Sequence, residues 1–311
     1  MSIIAVMNAA FDNVFVRRFI SNLQMLSSCE LLQEKIPINA HIFEDNRAEP
    51  KTIRRVKPTQ RTITDFSDLN SPSVALLTRG ELSAVVSSNG HISLSSGEKL
   101  LTNTIFNKYS LDFSLNVGFT RAGKSFGCAS LYGNGLNYSF ERGNGFASHI
   151  ASGADFSGRV RYSMAKSCNC FIINTRAEAL KKYDISLSFE PVLDKQKSFY
   201  SHISFSRLFI ESEYDKSKRI LYFHRRSRED GSHIFTIAIA PRDRDMEFNF
   251  ATSRENIGIE RISTPLDYAR CNTDDFAGEC IDPICIVKSK NADGGKATFL
   301  ISCGQTKSEC E

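Results

Sequence analysis

The clearest pattern in the chain is a strict alternation of apolar and polar residues over positions 109–120. Apolar side chains occupy every odd position from Tyr109 to Phe119, and polar residues or glycine occupy every even position from Ser110 to Thr120. Successive side chains of a β-strand point to opposite faces, whereas a helix would scatter these apolar groups around its circumference. The run therefore predicts a strand with one apolar and one polar face.

Further strands are predicted across residues 73–263. The dipeptides Asn89-Gly90 and Asp230-Gly231 separate alternating segments, and such dipeptides favour tight hairpin turns because the central residues need positive φ. One short helix is predicted at Thr175–Tyr183, where Thr175 and Glu178 have the spacing of a capping box. Parallel strands would need regular crossover helices, which the pattern lacks. The predicted fold class is mainly β, an antiparallel β-sandwich or jelly-roll-like domain with an N-terminal helical segment.

The same patterns divide the chain into four segments. In the first, apolar residues recur at steps of three and four between Ile4 and Leu26, which predicts helix. In the second, Pro50 and Pro58 disfavour both helix and central strand. The segments are an N-terminal helical segment at 1–43, a basic extended linker or arm at 44–72, an antiparallel β domain at 73–263 and a Cys-containing tail at 264–311.

The composition of the chain predicts its cellular location. The 311 residues are 41% hydrophobic, which is sufficient for a substantial core, yet no apolar run is long enough to span a membrane as a helix. The first residues lack the basic region of a secretory signal. Nine cysteines, an odd number, predict mostly free thiols in a reducing compartment. We expect an intracellular, cytoplasmic protein that is not secreted and that holds no metal ion and no cofactor.

Two basic clusters are candidate nucleic-acid-binding sites. The first lies on the extended arm, where Lys and Arg side chains can neutralise phosphates. The second lies in the hairpin around residues 219–233, where Tyr222 and Phe223 add aromatic rings on which bases can stack. A solvated linker and a charged hairpin tip that keeps a sheet edge soluble are the alternatives. The candidate residues are Arg47, Lys51, Arg54, Arg55, Lys57, Arg61, Arg225, Arg226 and Arg228.

Residues 118–125 match the phosphate-binding pattern G-x-x-x-x-G-K-[ST]. In a nucleotide site the loop amides around Gly118 and Gly123 would cradle phosphates, Lys124 would reach the β- and γ-phosphates, and Ser125 would hold Mg²⁺. The preceding strand is half polar, however, whereas strands of a parallel sheet covered on both faces are continuously apolar. A hairpin turn over residues 121–124 is therefore favoured, with a P-loop NTPase as the alternative.

These observations lead to a functional prediction. The leading hypothesis is a non-enzymatic protein that binds RNA or another polyanion, or assembles with copies of itself. The order of helix, basic arm and β domain resembles that of small virus-encoded coat or movement-type proteins, a resemblance of architecture that does not fix function. The alternatives are the P-loop NTPase and a lectin-like or adhesive β-sandwich.

Overall fold

The computed structural model describes residues 3–21, 61–63, 72–103, 114–133, 135–243, 246–257, 264–279 and 281–311. The chain divides into two compact units, Met1–Val56 and Lys57–Glu311. In the first unit, helix α1 (Ile3–Ala10) is followed by helix α2 (Val14–Ile20). The two helices are tied together by the Asn8 side chain, whose Oδ1 accepts a hydrogen bond from the amide of Phe15 at 3.0 Å. No helix in these ranges is both long and apolar enough to cross a membrane.

The second unit consists mainly of strands. In chain order they are β1 (Arg61–Ile63), β2 (Val74–Arg79), β3 (Leu82–Ser87), β4 (Ile92–Ser96), β5 (Lys99–Thr102), β6 (Asn116–Arg121), β7 (Lys124–Gly127), β8 (Asn137–Gly143), β9 (Phe146–Ser152), β10 (Ser157–Met164), β11 (Cys170–Ala177), β12 (Lys182–Phe189), β13 (Pro191–Lys195), β14 (Ile210–Asp215), β15 (Ile220–Arg226), β16 (His233–Pro241), β17 (Asn249–Ser253), β18 (Pro283–Asp293) and β19 (Ala297–Gly304). The short helices of this unit are α3 (Gln196–Ser201), α4 (Ile203–Arg207), α5 (Asp267–Arg270) and α6 (Lys307–Cys310).

The strands form three sheets. A nine-stranded sheet has the order β1-β8-β9-β10-β11-β19-β16-β15-β14, and two five-stranded sheets have the orders β17-β18-β12-β6-β7 and β13-β5-β4-β3-β2. Every strand ladder among the described residues is antiparallel. The predicted fold class is confirmed: the protein is mainly antiparallel β, consistent with a β-sandwich, and helices are present near its N-terminus.

A single large apolar core contains buried side chains from all three sheets. Its aromatic centre is the ring of Phe156, which stacks on Phe126 at 4.9 Å between centroids and lies 5.1 Å from Phe119 and 5.7 Å from Tyr183. Apolar and polar residues alternate along the strands of all three sheets because the apolar side chains face this shared core. The sheets are therefore held face to face by burial of apolar surface, which is the dominant favourable contribution to folding.

The two hairpins predicted from Asn-Gly and Asp-Gly are present. Residues 88–91 join β3 to β4 with Gly90 at φ +112°, and residues 227–232 join β15 to β16 with Gly231 at φ +71°. The long alternating run is described from residue 114 onward, where β6 begins at Asn116. Its polar face is buried as well, since Ser114 and Asn116 are 2% and 3% exposed. The side chain of Ala269, in α5, lies close to Gly118 on this strand.

The predicted helix at Thr175–Tyr183 is wrong. Thr175 lies in β11, which ends at Ala177, and β12 begins at Lys182. The Thr175 hydroxyl does not cap a helix, because it donates to the carbonyl oxygen of Gly295 at 2.8 Å and accepts from the amide of Ala297 at 3.0 Å. Tertiary hydrogen bonding between strands has therefore overridden a local capping signal.

The predicted Cys-containing tail at 264–311 supplies two strands of the sheets. Strand β18 pairs with β12 and β17, and strand β19 lies between β11 and β16 in the nine-stranded sheet. Much of the N-terminal helical segment and nearly all of the basic arm lie outside the described residues. The other domain boundaries stay predictions.

We expect Phe156→Ala to lower the free energy of unfolding by about 3–5 kcal/mol, because the fully buried ring has aromatic neighbours from β6, β7 and β12. Phe276→Ala is the matched control, since that side chain is 55% exposed, and it should change the free energy by less than about 0.5 kcal/mol. Urea unfolding followed by circular dichroism measures both. Equal effects of the two substitutions would contradict the placement of the aromatic core.

Candidate active-site cleft

A cleft of about 630 Å³ lies where the hairpin ends of one five-stranded sheet meet strand ends of the nine-stranded sheet. A volume of this size is typical of small-molecule sites in proteins. Its lining combines carboxylates, ammonium groups, amides, a thiol and one aromatic ring. The lining residues are Glu81, Ser96, Gly97, Glu98, Lys99, Asn169, Lys195, Phe235, Cys303, Gly304, Gln305 and Glu309.

Two tight turns form one wall of the cleft. Gly80 and Glu81 join β2 to β3, and Gly97 and Glu98 join β4 to β5; each glycine has a positive φ, +55° and +53° respectively. The amide of Gly97 donates to the carbonyl oxygen of Glu81 at 3.0 Å, so the two turns lie side by side. Lys99 is the strand residue that pairs with Ser96 directly after the second turn. The hairpin register therefore places Glu81, Glu98 and Lys99 on one wall.

Gly80 also fixes the loop that approaches this wall. A Cβ atom at position 80 would lie 2.6 Å from Oδ1 of Asn169, which belongs to the loop between β10 and β11. The contact is possible because glycine has no side chain and accepts the left-handed φ of the turn. The amide of Asn169 is thereby held at the mouth of the cleft beside the hairpins.

The opposite wall comes from the ends of β16 and β19. The Phe235 ring, 5% exposed, faces the cleft with the Lys99 Nζ atom 4.1 Å from its centroid, a cation–π contact across the two sheets. Cys303 and Gln305 lie at and just beyond the end of β19. The carboxylate of Glu309 accepts a hydrogen bond from the backbone N–H of Gln305 at 2.7 Å, which fixes this carboxylate near the end of β19.

The electrostatics of the cleft are mixed, with three carboxylates and two ammonium groups among its lining residues. Burial lowers the pKa of the Lys99 ammonium, and the nearby Glu81 carboxylate opposes this shift only in part. Burial also raises the pKa of the Cys303 thiol. Lys195 and Glu98 form an ion pair of 2.8 Å at the exposed rim. The cleft therefore contains the exposed carboxylate of Glu81 and a half-buried lysine, Lys99, of lowered pKa that lies over the Phe235 ring.

The nucleotide motif lies elsewhere, in a hairpin. Gly118 belongs to β6, Gly123 to the turn, and Lys124 and Ser125 to β7, which pairs with β6. Lys124 pairs with Asp155 at 3.3 Å on the surface, and the Ser125 hydroxyl accepts a hydrogen bond from Nε of Arg270 at 3.2 Å. A strand follows the loop instead of a helix, so no helix N-terminus is available to bind phosphates. The hairpin turn predicted over residues 121–124 matches this arrangement.

The candidate nucleic-acid-binding residues fall into two groups. Of the arm residues, Arg61 is described only by its backbone, as the first residue of β1, and the other five lie outside the described residues: Arg47, Lys51, Arg54, Arg55 and Lys57. In the hairpin, Arg225 is 5% exposed and bonds Asp194 at 2.6 Å. Arg226 pairs with Glu211 and Glu279 at 2.9 and 3.0 Å. Arg228 is exposed beside the rings of Phe205 and Phe209.

No group of three or more His, Cys, Asp or Glu residues is arranged to hold a metal ion within the described ranges. One cysteine of the tail, Cys280, lies outside those ranges. The residues that line the cleft were not identified from the sequence, although two of its turns share a recognisable sequence pattern. Two turns with glycine at their first central position, Gly80-Glu81 and Gly97-Glu98, each place a glutamate at a hairpin tip.

Comparison with known proteins gives fold similarities only. No family model matches the chain, and no curated protein matches it. A bacterial glucoamylase in complex with acarbose has a TM-score of 0.47 and 10% identity, over 82% of this chain and 37% of that one. A galactose mutarotase-related enzyme from Lactobacillus acidophilus has a TM-score of 0.37 and 9% identity, over 76% and 99%. The 4-alpha-glucanotransferase of Thermococcus litoralis has a TM-score of 0.38 and 10% identity, over 81% and 40%.

The functional prediction made from the sequence is wrong. Two of the three hairpin candidates are already paired with carboxylates: Arg225 with Asp194, and Arg226 with Glu211 and Glu279. Their guanidinium groups are therefore not available to a phosphate backbone as predicted. The description as a non-enzymatic nucleic-acid-binding or assembly protein of viral type is therefore withdrawn.

We expect Arg225→Ala to lower the free energy of unfolding by about 3 kcal/mol, because it leaves the partly buried carboxylate of Asp194 without its guanidinium partner. Arg228→Ala removes a neighbouring arginine that is exposed, and should change stability by less than about 1 kcal/mol. Urea unfolding measures both variants. An Arg225→Ala protein as stable as the Arg228→Ala protein would contradict the structural role assigned to this ion pair.

Proposed function

We propose that the protein is an enzyme that acts on a neutral saccharide, with the cleft as its active site. The observation that carries the proposal is that Glu81 lines the same polar cleft as Lys99, whose ammonium lies over the Phe235 ring. A carboxylate and an amine of shifted pKa in one cleft are the groups that general acid–base catalysis requires.

The composition of the cleft favours a hydroxylated ligand without net charge. Carboxylates accept hydrogen bonds, ammonium groups donate them, and the amides of Asn169 and Gln305 do both, which suits hydroxyl groups that donate and accept. A polyanion is disfavoured because carboxylates outnumber ammonium groups in the lining.

The proposed roles follow from the chemistry of the two side chains. Glu81 is the proposed general base, which accepts a proton from a substrate hydroxyl or from water. Lys99, as an ammonium with a lowered pKa, donates a proton more readily than an ordinary lysine does. Its contact with Phe235 and its position in the strand ladder beside Ser96 hold the ammonium in place.

We also propose an intracellular, reducing location. It is supported by the cysteines of the described residues, which are free thiols: Cys128, Cys168, Cys170, Cys271, Cys285, Cys303 and Cys310. Self-association, expected as one option from the sequence, stays a prediction.

We expect Glu81→Gln to lower kcat by about 10²- to 10⁴-fold on any saccharide that the wild type turns over, with KM changed much less. Gln keeps the size of the side chain but does not accept a proton. The control is Glu229→Gln, which makes the same change at an exposed turn residue far along the chain. Initial rates on a panel of free aldoses and glucose oligosaccharides provide the measurement, and unchanged kcat in Glu81→Gln would exclude this role.

We expect activity to fall with rising pH, through a limb that lies below the ordinary pKa of lysine. Lys99 is the proposed acid, so the active form is protonated and is lost above its lowered pKa. Lys99→Arg should abolish activity, because arginine stays protonated and does not release the proton that a general acid must donate. Lys99→Met should abolish activity, and Lys216→Met, at an exposed turn, should not. A wild-type profile without an alkaline limb would contradict the assignment.

A further inference from the structure

A second cavity, of about 190 Å³, lies on the opposite face of the nine-stranded sheet from the core. Strand alternation defines the two faces: Ile239 and Ile301 point into the core, so their neighbours Ala238, Ala240 and Leu300 point to the other side. Helix α6 packs against β16 and β19 and adjoins this cavity with Cys310. The cavity is therefore a small chamber between the outer face of the sheet and a short helix.

The chamber has an apolar floor and a polar rim. The floor residues are Cys170, Ile220, Ala238, Ala240, Leu300 and Cys310, and the rim residues are Cys168, Asn169, Ser302, Glu309 and Glu311. Burial raises the pKa of the Cys170 thiol to about 11 and that of the Cys310 thiol to about 12. Both thiols are therefore neutral at physiological pH and behave as small apolar groups. The floor carries no charge that would favour an ion.

The size of the chamber defines the class of ligand. An apolar cavity of about 150 Å³ accommodates benzene, so a chamber of 190 Å³ has room for one six-membered ring or a short alkyl group. Asn169 and Glu309 line both this chamber and the cleft. The two spaces therefore meet at the end of β19.

We propose that this chamber is a binding site for one small apolar group of the size of an aromatic ring. The group has two possible sources: a free small molecule, or an apolar substituent of a ligand that occupies the cleft and passes the end of β19 between Asn169 and Glu309. The proposal does not depend on the function proposed for the cleft, because none of the floor residues of the chamber lines the cleft.

Fluorobenzene is the probe, and its binding to the full chain is measured by ¹⁹F NMR titration. We expect saturable binding, and we expect Ala240→Leu, which fills the chamber, to weaken it about tenfold or more. Ala179→Leu makes the same change at an exposed loop residue and should bind like the wild type. Absence of saturable binding by the wild type, or equal binding by Ala240→Leu, would overturn the proposal.

A second measurement needs no variant. Fluorobenzene in the chamber should slow the alkylation of Cys310 and Cys170 by N-ethylmaleimide about twofold or more beyond any slowing at Cys285, which is buried elsewhere in the core and measures only the stabilisation of the whole fold. Unchanged rates at Cys310 and Cys170 under saturating probe would count against the site. The proposal stays testable in this way even if Ala240→Leu does not fold.

Phenyl glucoside and methyl glucoside separate the two sources of the apolar group. Displacement of fluorobenzene by phenyl glucoside alone would support the chamber and identify the group as a substituent of the saccharide. Retention of fluorobenzene in the presence of both glucosides would support the chamber as a site for a free molecule. Failure of every saccharide to bind would refute the function proposed for the cleft but leave the fluorobenzene result intact.

Discussion

The ion pair between the buried Arg225 and the partly buried Asp194 is the interaction on which the cleft depends. It joins β15 of the nine-stranded sheet to β13 of a five-stranded sheet through a contact of 2.6 Å, and the Ser206 hydroxyl bonds both partners. Asp194 directly precedes Lys195, and Arg225 pairs across the strands with Phe235. Both neighbours line the cleft, so one ion pair sets the separation of its two walls.

Forming this ion pair costs desolvation free energy, which further hydrogen bonds must offset. Removing two charges from water is unfavourable unless their geometry is good and further hydrogen bonds satisfy them. Here the guanidinium of Arg225 also donates to the carbonyl oxygen of Ser206 at 3.3 Å, and burial lowers its pKa while Asp194 opposes the shift. A buried, well-bonded pair between sheets fixes a unique arrangement of the two sheets, which a purely apolar contact would define less sharply.

The fold could be predicted from the sequence because every second residue of a strand faces the core and is therefore apolar. The hairpins at Asn89-Gly90 and Asp230-Gly231 followed from turn chemistry that acts over a few residues. The capping box at Thr175 failed because its hydroxyl finds partners in the segment after β18, more than a hundred residues away. Local signals are reliable only where no distant partner competes for the same polar group.

The function was predicted wrongly for a related reason. A cluster of Arg and Lys in the sequence shows that charge is present, but it does not show whether acidic side chains already neutralise it. In the fold, Arg225 and Arg226 form ion pairs with carboxylates of β13, β14 and residue 279. The cleft residues are likewise scattered from Glu81 to Glu309, so only the folded sheets bring them together. The glycines that shape its two turns were visible in the sequence, but the meeting of those turns with β16 and β19 was not.

The central claim is that the cleft binds a neutral saccharide, and a paired binding titration tests it most directly. Wild-type protein and a Ser96→Trp variant, whose indole would fill the cleft, are titrated calorimetrically with a panel of neutral oligosaccharides and with single-stranded RNA. The account predicts saturable binding of at least one saccharide by the wild type, loss of that binding in the variant, and weaker binding of RNA. Binding of RNA alone, or saccharide binding that Ser96→Trp leaves unchanged, would contradict it.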